Sequence, residues 1–165
     1  MNVFEGRPRG EERRIAVVAA RFNEAITRKL VDGAVAGLTS LGVAAEAIDI
    51  AWVPGAFEIP LVARRLARSG RFDGIICLGA VIRGETAHFD LVANESARGI
   101  ADVARDTGVP VIFEVLATET LAQAEARAGG AHGNRGWDAA EAALEMADLL
   151  DRLPREAKQR EGSLR

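Results

Sequence analysis

Four short apolar runs, at 15–20, 48–53, 74–79 and 110–116, alternate with longer stretches whose apolar residues recur at helical spacing. The runs read IAVVAA, IDIAWV, GIICLG and PVIFEVL. Strands that are apolar at successive positions need cover on both faces, as the central strands of a parallel sheet do. The first helix is predicted over 24–41, with Ile26, Leu30, Ala34, Leu38 and Leu41 on one stripe and Gly42 as its stop. A second follows Pro54-Gly55, carries Phe57, Ile59, Leu61, Val62 and Leu66, and ends before Ser69-Gly70. The third spans 87–107 and closes at Gly108, and its interior Gly99 points to close helix packing. The fourth spans 119–128, before Gly129-Gly130, and the last spans 137–153, before Pro154. Strands alternating with helices, joined by right-handed crossovers, give an α/β fold: one three-layer α/β/α sandwich around a four-stranded parallel sheet. The domain covers 13–153, between an N-terminal segment, 1–12, and a polar C-terminal tail, 154–165.

The length of 165 residues suits one well-filled core. Aromatic residues make up only 5% of the chain and tyrosine is absent, so the interior must be built from Ala, Val, Leu and Ile. A formal charge of −3, without a basic face interleaved with aromatics, argues against nucleic acid as a partner. One or two placed arginines would still hold a small phosphorylated substrate. No apolar run is long enough to span a membrane, and the opening residues lack the apolar core of a secretory signal. The single Cys77, inside IICLG, reads as a buried thiol. A cytoplasmic protein is the simplest expectation.

In open parallel sheets ligands bind beyond the carboxyl ends of the strands. Three segments fall there: Arg21-Phe22-Asn23, Pro54-Gly55-Ala56-Phe57-Glu58, and the run from Ala80, Val81 and Ile82 through Arg83, Gly84, Glu85 and Thr86 to His88. Gly84 suits an unusual turn, Thr86 a helix N-cap, and the free amides at that helix start suit a phosphate. An ordinary capped turn fits the same residues, and the glycine spacing of a Walker loop is absent. His88, in the first helical turn, is either a proton-transfer group or polar surface. His132, in GGAHGNRG, carries the same two readings with less to favour chemistry. Glu58 suits hydrogen bonds to a polyol or a heterocyclic amine, or plain solvent. Phe22 and Phe113 either stack on a flat ligand or belong to the core. Arg127 faces a phosphate or a surface carboxylate. Two histidines and one cysteine make no metal cluster, and no nucleophile elbow is present. The only lysines are Lys29 and Lys158, so any imine chemistry draws its amine from the substrate.

The blocks ARFNEAIT, VPGAFEIPL, GAVIRGETAHFD, PVIFEVL, QAEARAGG and GNRGWDAAEAALEMADL, in this order, resemble the 6,7-dimethyl-8-ribityllumazine synthase family over about 4–150. That resemblance implies a flavodoxin-like fold. It also implies condensation of 5-amino-6-(D-ribitylamino)uracil with L-3,4-dihydroxy-2-butanone 4-phosphate, with no metal or organic cofactor. By the same resemblance, Phe22 stacks on the pyrimidine, and Ala56, Phe57 and Glu58 cradle the ring and ribityl chain. Asn23, Ala80, Val81 and Ile82 belong to the same substrate-binding set. Gly84, Glu85 and Thr86 with Arg127 hold the phosphate, and His88 transfers protons. Phe113 is a wall supplied by a neighbouring subunit. Family members form pentamers with active sites between subunits, and some close into a sixty-subunit icosahedral shell. The short turn AGGAHGNRG is like that of shell-forming members, and the FEG segment suits pairing with a neighbour's sheet edge.

Two positions depart from the family pattern. Arg135 stands where lysine is usual, keeping charge but changing hydrogen-bond geometry, and Glu114 stands where a small residue usually follows Phe113. Both belong to the expected substrate-binding set. They motivate the competing reading of a flavin- or pterin-binding, or shell-forming, paralogue with weak or no synthase activity. A flavodoxin-like electron carrier is a more distant alternative, since fold alone does not assign function.

Overall fold

Strand β1 (Ile15–Ala20) is buried along its whole length, between β2 (Ile48–Val53) and β3 (Gly74–Ile82). The computed structural model describes residues 1–154. The expected tail from 155 onward, with Lys158, lies outside the described residues. The edge strand β4 (Val111–Thr118) completes an all-parallel sheet of order β2-β1-β3-β4. This order is the first part of the flavodoxin-like arrangement.

Alternation along the central strands sorts their side chains into two cores. Ile15, Val17 and Ala19 of β1 and Ile76, Leu78 and Ala80 of β3 face helices α1 (Glu24–Ser40) and α5 (Arg135–Arg152). Ala16, Val18, Ile75 and Cys77 face α2 (Ile59–Ala67) and α3 (His88–Thr107). Helix α4 (Leu121–Arg127) joins the first layer through Ala124. The three-layer expectation therefore holds, and Cys77 is buried as expected, with its thiol pKa pushed up by desolvation.

Boundaries moved where capping or pairing outweighed apolar periodicity. Strand β3 runs on to Ile82, because Ala80, Val81 and Ile82 pair with Leu116, Ala117 and Thr118. Strand β4 begins one residue after Pro110 and extends to Thr118. The second helix is preceded by a 3₁₀ turn, Ala56–Glu58. Thr86 is not the N-cap of α3: Ala87 occupies that position without a side-chain bond, while the Thr86 hydroxyl accepts the His88 N–H at 3.4 Å. Helix α4 starts later than expected, because Thr120 and Gln123 form a reciprocal capping box. Helix α5 starts earlier, because the Asn134 side chain accepts the Gly136 N–H at 2.8 Å. The glycine-rich turn forms a small hairpin of β5 (Ala128–Gly130) and β6 (Gly133–Asn134), which periodicity did not reveal.

Small residues let the helices close on one another. At Gly99 an added Cβ would sit 2.7 Å from the Pro60 ring, so the expected close packing is real and joins α3 to α2. At Gly136 it would run into the Leu30 carbonyl, and at Gly37 it would approach the Ala140 side chain. Asn134 also donates to the Lys29 carbonyl at 2.8 Å, which staples α5 to α1 beside Gly33.

Gly136→Ala should destabilise the fold by about 1–3 kcal/mol, because rigid backbone rather than a flexible side chain meets the new methyl. A fall in the urea midpoint at unchanged slope is the expected result, whereas an unchanged midpoint would contradict this packing.

Candidate active site

After β1 the chain turns into α1 on one face of the sheet, and after β3 it turns into α3 on the other. Opposite turns at adjacent strands open a crevice at their carboxyl ends. The ladder continues into this crevice, with Arg21 and Phe22 N–H groups donating to the carbonyls of Val53 and Pro54 at 2.8 and 3.1 Å. Asn23 then adopts the left-handed conformation, with φ 58°, and its amide donates to the Ala80 carbonyl at 2.8 Å. This residue type tolerates that backbone. The bond across β1 and β3 fixes the turn that leaves Phe22 exposed.

Phe22, Phe57 and Phe113 are 72%, 60% and 41% exposed, so none is a core residue. The core alternative for Phe22 and Phe113 is overturned. Ala56, which starts the 3₁₀ turn, is buried, while Phe57 and Glu58, which complete it, are exposed. The Glu58 carboxylate folds back over Gly55, 3.1 Å from where a Cβ would stand.

The turn from Gly84 to Ala87 is exposed. Gly84 lies outside the left-handed region and an added Cβ there would touch nothing within 4 Å, so its expected role in an unusual turn is corrected. Packing within the chain does not require glycine at this position. Among the described residues, the N–H groups of Gly84, Glu85, Thr86 and Ala87 have no backbone acceptor. They open a 20-residue helix, where free donors and the helix dipole favour an anion. His88 is exposed in the first turn of that helix.

Arg83 is committed elsewhere. Its Nε donates to Glu119 at 2.8 and 3.1 Å, its terminal nitrogens lie 3.3–3.4 Å from Asp90, and its guanidinium stacks 4.2 Å from the centre of the Phe89 ring. Hydrogen bonds to Asp90 and Glu119 push the Arg83 pKa above its usual value.

A second group of candidates lines edge strand β4, next to the β3 strand end. Phe113, Glu114, Arg127 and Arg135 line an open cleft of about 500 Å³ along edge strand β4. None of Phe22, Asn23, Ala56, Phe57, Glu58, Ala80, Val81, Ile82 or the 84–88 turn lines it. Arg127 donates to the Gln123 carbonyl at 2.9 Å, a bond that leaves other guanidinium donors free. Arg135 pairs with Asp138 at 3.3 Å. Burial pushes the Glu114 pKa up, Arg135 opposes that shift, and Asp138 adds to it. His132 sits in the exposed hairpin turn, its N–H bonded to the Ala126 carbonyl, and does not line the cleft.

The sequence reading missed Glu119 and Gln123, which also line the cleft, and Asp138, the partner of Arg135. The pattern Thr120-x-x-Gln123 was the signal that could have found Gln123.

The profile of the 6,7-dimethyl-8-ribityllumazine synthase family matches residues 12–151. A curated relative of that name from Gemmatimonas aurantiaca is 58% identical over 152 residues, covering 92% of this chain and 93% of the relative.

Glu114 yields a pH test. A carboxyl whose folded pKa is raised binds its proton more tightly in the native state, so its contribution to stability is lost as pH rises through that value. Relative to Glu114→Gln, the wild type should therefore lose stability from about pH 4 upward, with the gap opening fully above the raised value. Parallel unfolding curves across that range would contradict the burial of this carboxylate.

Proposed function

Since the chain belongs to the 6,7-dimethyl-8-ribityllumazine synthase family, we propose that His88 and the 84–86 turn of one subunit work opposite Phe113, Arg127 and Arg135 of the next. The protein condenses 5-amino-6-(D-ribitylamino)uracil with L-3,4-dihydroxy-2-butanone 4-phosphate and releases 6,7-dimethyl-8-ribityllumazine, inorganic phosphate and water. The observation that supports the subunit arrangement is that Phe113, Glu114, Arg127 and Arg135 line a cleft on β4 which Phe22, Glu58 and the 84–88 turn do not line.

In this reading Phe22 stacks on the pyrimidine, while Ala56, Phe57 and Glu58, with the Ala80–Ile82 strand end, hold the ring and ribityl chain. Asn23 acts by fixing the turn beneath Phe22, and Glu114 lies beside the ribityl chain. The pyrimidine 5-amino group attacks the ketone carbon and water leaves, forming the imine. Loss of the proton from the adjacent carbon then expels phosphate from the terminal carbon and leaves an enol. Tautomerisation places a methyl at that end and a ketone beside the imine. The ribitylamino nitrogen attacks this ketone, and loss of water closes the ring. His88 is positioned to move protons in these steps. Free amides at Gly84, Glu85 and Thr86, with Arg127 of the neighbour, stabilise the departing phosphate. Holding both reactants together is the other main contribution.

We propose a homopentamer in the cytoplasm, with small-molecule substrates and no nucleic acid or membrane partner, and the short AGGAHGNRG turn favours closure of pentamers into a sixty-subunit shell. Edge strand β2, with Ile50 42% exposed, offers a place for a neighbour's FEG segment. Among the described residues no helix is long and apolar enough to cross a membrane. Sedimentation velocity should give one shell-sized species; a monomer that is fully active would overturn this arrangement.

His88→Ala should lower kcat by about 10²–10⁴-fold while leaving the unfolding midpoint nearly unchanged. Unaltered kcat in a folded, assembled variant would remove His88 from the mechanism. Gly84→Ala and Arg127→Ala should instead raise KM for the phosphorylated substrate by at least about tenfold. An unchanged KM in both would refute the phosphate assignment.

A further inference from the structure

Arg83 is absorbed by none of the roles above, yet it lies at the junction of three elements. It is the first residue after β3, its backbone N–H donates to the Thr118 carbonyl at 2.9 Å, and its side chain reaches α3 and the approach to α4 at once. Towards α3 it grips the two residues that follow His88, stacking on Phe89 and bonding to Asp90. Towards α4 it holds Glu119, whose backbone N–H donates to the Gln123 side chain at 2.9 Å. Gln123 in turn closes the capping box with Thr120, and its carbonyl accepts from Arg127.

A planar guanidinium can meet two carboxylates and an aromatic face together, which a lysine ammonium cannot. All five of its donors are directional, and the 84–87 turn lacks backbone partners of its own among the described residues. With few internal bonds in that turn, the geometry of the first turn of α3 rests on contacts from outside it. Arg83 supplies them from its own strand end and from Glu119.

We propose that Arg83 is a positioning residue: by tying Phe89 and Asp90 to Glu119, it holds the first turn of α3, and hence His88, in register with the phosphate turn. The proposal gives it no contact with a reacting atom: its Nε–H and one N–H of each terminal nitrogen are directed at Glu119 and Asp90. The inference rests on His88 and the 84–86 turn acting as assigned above, which the His88 and Gly84 variants test separately. If those variants behave as expected and Arg83 variants do not, only the positioning role fails.

The experiment compares Arg83→Ala, Arg83→Lys, Glu119→Gln and the double variant Arg83→Ala/Glu119→Gln as assembled proteins. It reads kcat and the KM of each substrate, together with thermal unfolding and sedimentation. Misplacement of a proton-transfer group by about 1 Å costs on the order of 10²-fold, so Arg83→Ala should lower kcat by about 10–100-fold. The KM for the phosphorylated substrate should change by less than about threefold. Lysine should not restore kcat, and Glu119→Gln should lower it by several-fold. The double variant should be no slower than Arg83→Ala alone, because both changes break the same tie.

A raised KM for the phosphorylated substrate at unchanged kcat, restored by lysine, would make Arg83 a phosphate ligand and overturn the proposal. Multiplying effects in the double variant would also overturn it. So would a fall in activity matched by loss of assembly in every variant, including the near-isosteric Glu119→Gln.

Discussion

The architecture depends on β1 and β3 being apolar on both faces. Their side chains are removed from water only if helices cover both sides of the sheet, and at about 25 cal/mol per Å² this burial outweighs any single polar contact described above. Parallel pairing then requires long crossovers, and their handedness sends α1 and α3 to opposite layers. The crevice at the carboxyl ends follows from that divergence. Interior side chains are short, so the helices approach until backbone meets backbone at Gly136 and ring meets glycine at Gly99. This close approach packs α3 on α2 and the start of α5, with Arg135, on α1.

In the proposed arrangement one chain carries the parts of a site on two surfaces. The carboxyl ends of β1, β2 and β3 lead into segments with exposed aromatics, the Glu58 carboxylate, free amides and His88. The cleft on β4 holds two guanidinium groups, the Phe113 ring and a half-buried Glu114. The proposed chemistry draws on both sets, and the proposal assigns the second to a neighbouring subunit. Arg83 then links the two faces within a chain, between one crevice and the cleft that would serve the next site. A pairing of Arg135 with Asp138, beside the half-buried carboxylate of Glu114, gives this chain its own electrostatics in the cleft.

The sheet was legible in the sequence because periodicity and burial agree: β1 and β2 have the expected ends. Ends set by side-chain hydrogen bonds were not, as α4 and α5 show. Thr120 and Asn134 decide where those helices start, and neither alters the apolar stripe. Thr86 looked like a cap, but the helix begins one residue later and its hydroxyl bonds to His88. Phe22 and Phe113 were divided between ligand and core because an aromatic at a strand end fits both until exposure is known. His88, Gly84, Arg127 and Glu58 were legible as candidates only through their shared placement and the family resemblance. Arg83 was hidden, because its partners Asp90 and Glu119 are brought together by the β3–β4 pairing rather than by spacing along the chain.

Subunit mixing tests the divided site most directly. His88→Ala and Arg127→Ala subunits would be unfolded, combined in equal amounts and reassembled, and lumazine formation measured with the phosphorylated substrate well below the raised KM, where each variant alone is slow. If each site takes His88 from one subunit and Arg127 from its neighbour, random mixing rebuilds both groups in about a quarter of the sites, and activity returns in proportion. Activity that stays at the level of the separate variants, in mixed assemblies of normal size, would place both residues in one chain's site and contradict the account.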